Sequence, residues 1–74
     1  MKSAEAAKEA SRLLGSQVEM ARLLQVTAPT GNQWCSGERP VPAKRAVQIE
    51  ALTQGAVNRT DLCPSFPWGQ IAYA

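Results

Sequence analysis

The sequence predicts an all-α protein, a compact bundle of four to five helices, on three observations. Helix-forming residues dominate, and no stretch alternates apolar and polar residues long enough for a strand. Apolar residues recur at helical spacing in several short segments. Glycine or proline punctuates those segments at Gly15, Gly37, Pro42 and Gly55. With 74 residues the chain suits one small domain, residues 1–74. Its core is thin, because a chain this short buries only about 60% of its unfolded surface.

The first helix is expected over Ser3 to Leu14, with Ser3 as cap, Glu5 in the first turn and Arg12 in the last. Ala6, Ala10, Leu13 and Leu14 give it a narrow apolar face. Lys8 and Arg12 lie one turn apart on a side open to solvent or to phosphate. Gly15 ends this helix and Ser16 starts the next at once, so the two must cross sharply.

Residues Ser16 to Gly37 read as two short helices joined by a tight turn. Ser16 with Glu19 has the spacing of a capping box. Val18, Ala21 and Leu24 form one inward stripe, Gln25 and Val26 make the turn, and Thr27 caps the second helix, which ends at Ser36 before Gly37. Pro29 is tolerated in a first turn but disfavours helix at Ala28, which would move the start one residue on. Gly31 costs about 1 kcal/mol against Ala in helix propensity and leaves a gap where Val or Ile would fill the core. Trp34 falls on the inward side.

A loop with two prolines, residues 37–42, leads to a helix from about Pro42 to Gln54, with Gly55 as its C′ residue. Ala46, Ile49 and Leu52 or Thr53, with Val47, supply its core face. Val57 and Leu62 fold back, and Thr60-Asp61 starts a one-turn helix stopped by Pro64. Phe66, Trp68, Ile71 and Tyr73 follow without helical period. They cover the core or form a contact patch for a second copy or another protein, and the sequence leaves both open.

Composition narrows the function. Eight Lys+Arg against six Asp+Glu give a net charge of +2, far from the dense basic runs of a non-specific nucleic-acid binder. There is no histidine, and Cys35 and Cys63 are 28 residues apart without C-x-x-C partners, so no zinc site or other cofactor is expected. No acid–base pair, nucleophile constellation or glycine-rich phosphate loop suggests an enzyme. No signal-like or membrane-length apolar run is present, and a reduced cytoplasm with two buried thiols is the expected setting.

Two helices with so short a turn have the geometry that lays one across a DNA backbone and the other in the major groove. On the second, Ala28, Pro29, Asn32 and Gln33 should face outward. Asn and Gln amides can pair bidentately with adenine, and Ala28 suits a thymine methyl. Gln17, at a helix start, is placed either against a phosphate or in solvent. Lys44 and Arg45 oppose the dipole of their own helix, and with Arg39 they read as a phosphate clamp.

The runs Leu-Gly-Ser-Gln, Ala-Arg-Leu-Leu-Gln-Val-Thr, Gln-Trp-Cys-Ser-Gly-Glu-Arg-Pro-Val-Pro-Ala-Lys-Arg-Ala and Thr-Gln-Gly-Ala-Val stand in register between Leu14 and Trp68. In them the chain resembles Cro-type repressors of lambdoid phages and the YdaS-like prophage regulators, the latter often described as antitoxins. The resemblance implies a lambda-repressor-like helix-turn-helix unit, a homodimer on double-stranded operator DNA, and repression by occupancy. It matches Gln17, Thr27 and Arg39 to phosphate-contacting positions, and Ala28, Pro29, Asn32 and Gln33 to base-facing ones. Gln25 replaces the usual turn glycine and Gly31 the usual Val or Ile. The alternative is an antitoxin-like module that engages a toxin or regulator protein through Phe66 to Tyr73.

Overall fold

Helices of eight to twelve residues are marginal alone in water, so their caps and one buried stripe each decide where they form. A computed structural model describes residues 2–70. Along them lie α1 (Ser3–Leu14), α2 (Gln17–Leu24), α3 (Ala28–Ser36), α4 (Ala43–Leu52), α5 (Arg59–Leu62) and a final 3-10 turn (Trp68–Gln70). α1 packs on α2, α3 and α5, α2 and α3 pack on each other, and α4 closes against α5 and α2. This is the expected all-α bundle with a helix-turn-helix at its centre.

α1 buries Ala6, Ala7, Ala10 and Ser11. These small side chains let three other helices approach it closely. Leu13, expected inside, stands at the edge of that face and is 44% exposed. Nor does Ser3 cap. Its hydroxyl donates to the Leu62 carbonyl at 2.6 Å and ties α1 to α5.

In α2 the Ser16 hydroxyl accepts the Glu19 N–H at 3.0 Å, the first half of the expected box. The second half gives way because the Glu19 carboxylate takes the Arg22 guanidinium instead. The inward stripe is Met20, Ala21 and Leu24: Ala21 and Leu24 are buried as expected, whereas the expected Val18 is 67% exposed and Met20 takes its place. A turn of 3.6 residues puts 20, 21 and 24 on one side and 18 off it. The turn is a Schellman motif built without glycine. Gln25 takes φ 58° and ψ 40°, its N–H donates to Arg22, and the Val26 N–H donates to Ala21 at 3.0 Å. A side chain in this left-handed region costs on the order of 1 kcal/mol.

Thr27 caps α3, accepting the Thr30 N–H and pairing with the Thr30 hydroxyl. The helix begins at Ala28 despite Pro29. Its buried side is Gly31, Trp34 and Cys35. A Cβ at Gly31 would lie 3.5 Å from the Ala21 Cβ and 3.6 Å from the Gln17 carbonyl oxygen. The expected valine-sized gap is therefore a close approach of two backbones, with room shown for a methyl group. Gly37 ends α3 at φ 84°.

Pro42 precedes α4 as its cap residue and does not open the helix, which runs only to Leu52. Ala46 and Ile49 are buried, whereas Leu52 is 38% exposed. The left-handed closing residue is Gln54, φ 55°, ahead of Gly55. Its Schellman pair, Gln54 to Ala51 and Gly55 to Glu50, repeats the device after α2. Val41, which no periodicity marks, is 1% exposed and fills the core from the loop. Asn58, not Thr60, caps α5.

Glu50 anchors α5 to α4. It accepts the Arg59 backbone N–H at 2.9 Å and the guanidinium at 2.9 and 2.7 Å. The Arg59 side chain first, and its backbone N–H second, hold the Glu50 carboxyl below its ordinary value of 4.5. Trp68 donates to the Cys63 carbonyl at 2.8 Å, packs on the core and lies against Phe66 and beneath Arg59. Cys35 is buried, which raises its thiol pKa, while Cys63 is only half-buried, and both are free.

Two outcomes follow from this packing. Gly31→Ala gains about 1 kcal/mol of helix propensity and meets its neighbours at ordinary contact distance, so thermal melting should rise by roughly 4–8 °C. An unchanged or lower melting temperature would show that the α2–α3 contact admits no methyl. A carboxylate with a lowered folded pKa stabilises above its unfolded value and loses that contribution as pH falls through the folded value. Melts across pH should therefore show Glu50→Gln less stable than the parent at pH 7, the difference closing below about pH 4.

Candidate nucleic-acid interface

The helix-turn-helix geometry starts from the buried side of α3. With Gly31 against Ala21 and Trp34 and Cys35 in the core, helical periodicity turns residues 29, 32 and 33 away from the core, while Ala28 shares the side of Gly31 and Cys35 and is exposed as the first residue of the helix. Ala28, Pro29 and Asn32 are exposed and Gln33 is half-buried. The Asn32 and Gln33 side-chain amides make no hydrogen bond among the described residues. The Gln33 carbonyl accepts the Arg39 N–H at 3.2 Å and the Ser36 hydroxyl at 3.3 Å. This outward face carries amide donors and acceptors and no charge.

The other site candidates lie on α2, at the two ends of α3 and on α4. Gln17 is the first residue of α2 and half-buried, and its carbonyl beside Gly31 places the α2 N-terminus next to the middle of α3. Thr27 is exposed, with its hydroxyl already engaged by Thr30. Arg39 is exposed and held near Gln33 by its own N–H. Lys44 is exposed in the first turn of α4, where no acidic residue offsets it.

Arg45 behaves differently. It is half-buried, and its Nη1 donates to the Leu24 carbonyl at 3.0 Å and to Gln48 Oε1 at 2.8 Å. It thereby reaches the C-terminus of α2, at the entrance to the turn before α3. Spacing could not reveal this, because a cation at a helix start reads the same whether it meets a phosphate or a carbonyl from another helix. Arg12, Arg22 and Arg59 are each paired with a glutamate. Arg39, Lys44 and Arg45 have no acidic partner among the described residues, and neither does Lys8, which acts on Cys35 of α3; Lys44 lies beside Val47 and Phe66.

Phe66 and Trp68 are half-buried on the α5 side of the bundle, and Ile71 and Tyr73 lie outside the described residues. No described helix is long and apolar enough to cross a membrane. Among the described residues, no group of three or more His, Cys, Asp or Glu could hold a metal ion.

A family model described as bacterial toxin YdaS matches residues 7–71. The chain is 42% identical over 64 residues to the putative transcriptional regulator YdaS of Escherichia coli K12, covering 86% of this chain and 65% of that protein. It is also 42% identical over 64 residues to the regulatory protein cro of Pseudomonas phage D3, covering 82% of this chain and 84% of the phage protein. The chain thus spans just under two thirds of the Escherichia coli relative's length. No solved structure matches. With nearly the whole chain matched, and a helix-turn-helix unit formed by α2 and α3, the protein belongs to the family of YdaS and Cro-type phage regulators.

Proposed function

We propose that this protein is a sequence-specific DNA-binding repressor of phage or prophage type, acting in the cytoplasm by occupying an operator through the major groove. One observation carries the reading: the exposed face of α3 holds two amides without internal partners, on a helix whose opposite face is fixed in the core. Asn32 and Gln33 read base edges there, with Ala28 and Pro29 in apolar contact beside them. Gln17, Thr27, Arg39 and Lys44 meet phosphates on either side and set the register. Arg45 holds the α2 C-terminus through Leu24 and so positions the turn that launches α3. The names of the two relatives, a transcriptional regulator and a cro protein, support the same reading. A protein acting this way binds as a homodimer to half-sites about 34 Å apart, one turn of DNA. No cofactor enters the reading.

A second reading, an antitoxin-like module, has one observation in its favour, the Phe66–Trp68 aromatic pair left partly exposed beside α5. In it, Phe66 and Trp68, with Ile71 and Tyr73 beyond the described residues, engage a toxin or regulator protein, and DNA binding is secondary.

Selection of duplexes from a random pool separates the two. The repressor reading expects a palindromic site with half-sites one turn apart; a pool that never enriches would overturn it. On the selected duplex, Asn32→Ala or Gln33→Ala should cost about 1–3 kcal/mol and relax preference at one base pair. Arg39→Ala or Lys44→Ala should weaken all sequences alike and reduce the salt slope by roughly one. Arg45→Gln should lower both melting temperature and affinity while leaving the salt slope unchanged. A slope reduced by about one would make Arg45 a phosphate contact instead.

A further inference from the structure

A cleft of about 290 Å³ opens where the start of α1, the loop after α3 and the segment after α5 meet. Two of its lining side chains, Trp34 and Leu62, belong to the core, and Pro40, Pro64 and the half-buried Cys63 stand around them. At Gly37 a Cβ would lie 3.5 Å from the Ala4 Cβ, so the end of α3 and the start of α1 nearly touch along one side. Among the described residues that line the cleft, Arg39 alone is charged. It is exposed and has no acidic partner among the described residues, and its chain neighbour Glu38 is not part of the lining. The Ser3 hydroxyl, at the same place, is engaged by the Leu62 carbonyl, and α1 has no side-chain cap. Its first backbone N–H groups therefore add positive partial charge on the side of Arg39.

We propose that this cleft binds a small organic carboxylate, and that the ligand competes with DNA phosphate for Arg39. Each part of the ligand answers a part of the lining. An arginine without a partner, in a cleft whose described lining holds no carboxylate, takes a carboxylate through two parallel N–H donors. The apolar body lies against Trp34 and Leu62 and removes their exposed edges from water, which a bare inorganic ion does not do.

Volume sets the size of that body. At roughly 30 Å³ for each water-sized group, the cleft holds on the order of ten non-hydrogen atoms, the size of an acid with a single ring. Competition with DNA rests on the DNA-binding reading, in which Arg39 meets a phosphate. The Arg39 backbone N–H is held by the Gln33 carbonyl, so one residue joins the end of α3 to the rim of the cleft. A carboxylate bound there occupies the donors that a phosphate needs.

Three probes test the site on the full chain: benzoate, its neutral isostere benzamide, and acetate, which keeps the charge and lacks the ring. In an NMR titration benzoate should move the Trp34 indole and the Arg39 and Cys63 amides together along one saturable curve. Benzamide and acetate should each bind at least about tenfold more weakly, and Arg39→Gln should weaken benzoate by the same factor with its melting temperature unchanged. Cys63 gives an independent readout: benzoate should slow its alkylation by iodoacetamide in proportion to occupancy, with the buried Cys35 unreactive throughout. Equal binding of the three probes, no saturation below about 10 mM, or shifts centred on Lys44 and Phe66 overturn the site. On a selected duplex, saturating benzoate should raise the apparent dissociation constant of the parent by about threefold or more and leave that of Arg39→Gln unchanged. A parent constant that does not move overturns the competition. If no duplex binds, the regulator reading fails while the benzoate titration still decides the cleft.

Discussion

The close approach of α3 to α2, with Gly31 over Ala21, is the contact on which the rest of the structure depends. It brings the two helices within a methyl group of each other and limits how α3 is rotated about its axis. Trp34 and Cys35 fix that rotation from the core. Rotation is what matters to a reading helix, since about 100° per residue separates an amide facing solvent from one buried against a neighbour. The alanine face of α1 serves the same end by letting α2 and α3 both lie against it.

Two constraints position the start of α3. The turn after α2 is closed by Gln25 in a left-handed conformation, stabilised by a Schellman pair of hydrogen bonds. Arg45 reaches from α4 to the Leu24 carbonyl just before that turn. Helix α4 thereby combines three tasks: Ile49 and Ala46 in the core, Arg45 at the turn, and Glu50 as the anchor for α5.

Much of this was legible in the sequence, for reasons that can be named. The limits of α1 follow from Gly15, the cap at Thr27 from its place before Ala28, and the inward Trp34 from helical spacing. Other features were hidden because sequence spacing fixes a period but not its phase. Val18 and Met20 are both plausible core residues until Ala21 and Leu24 are known to share their face with Met20. Gly31 looked like a gap because a glycine in a helix marks either a void or a close approach, and only the neighbouring Ala21 distinguishes them. Val41 and the Ser3–Leu62 bond depend on contacts far apart in the chain. At the site, the outward facing of residues 29, 32 and 33 follows from helical period, whereas the exposure of Ala28 comes from its place at the helix start and the inward reach of Arg45 needed the position of α2.

The central claim is that the α3 surface bearing Asn32 and Gln33 enters a groove of DNA while the core behind it stays fixed. An NMR titration of the labelled protein with a duplex recovered by selection tests it most directly. The account predicts shifts at the amides of residues 28, 32 and 33, with smaller ones at 17, 27, 39 and 44, and the Trp34 indole unmoved. Shifts confined to the α5 side around Phe66 and Trp68, with the α3 amides silent, would contradict it.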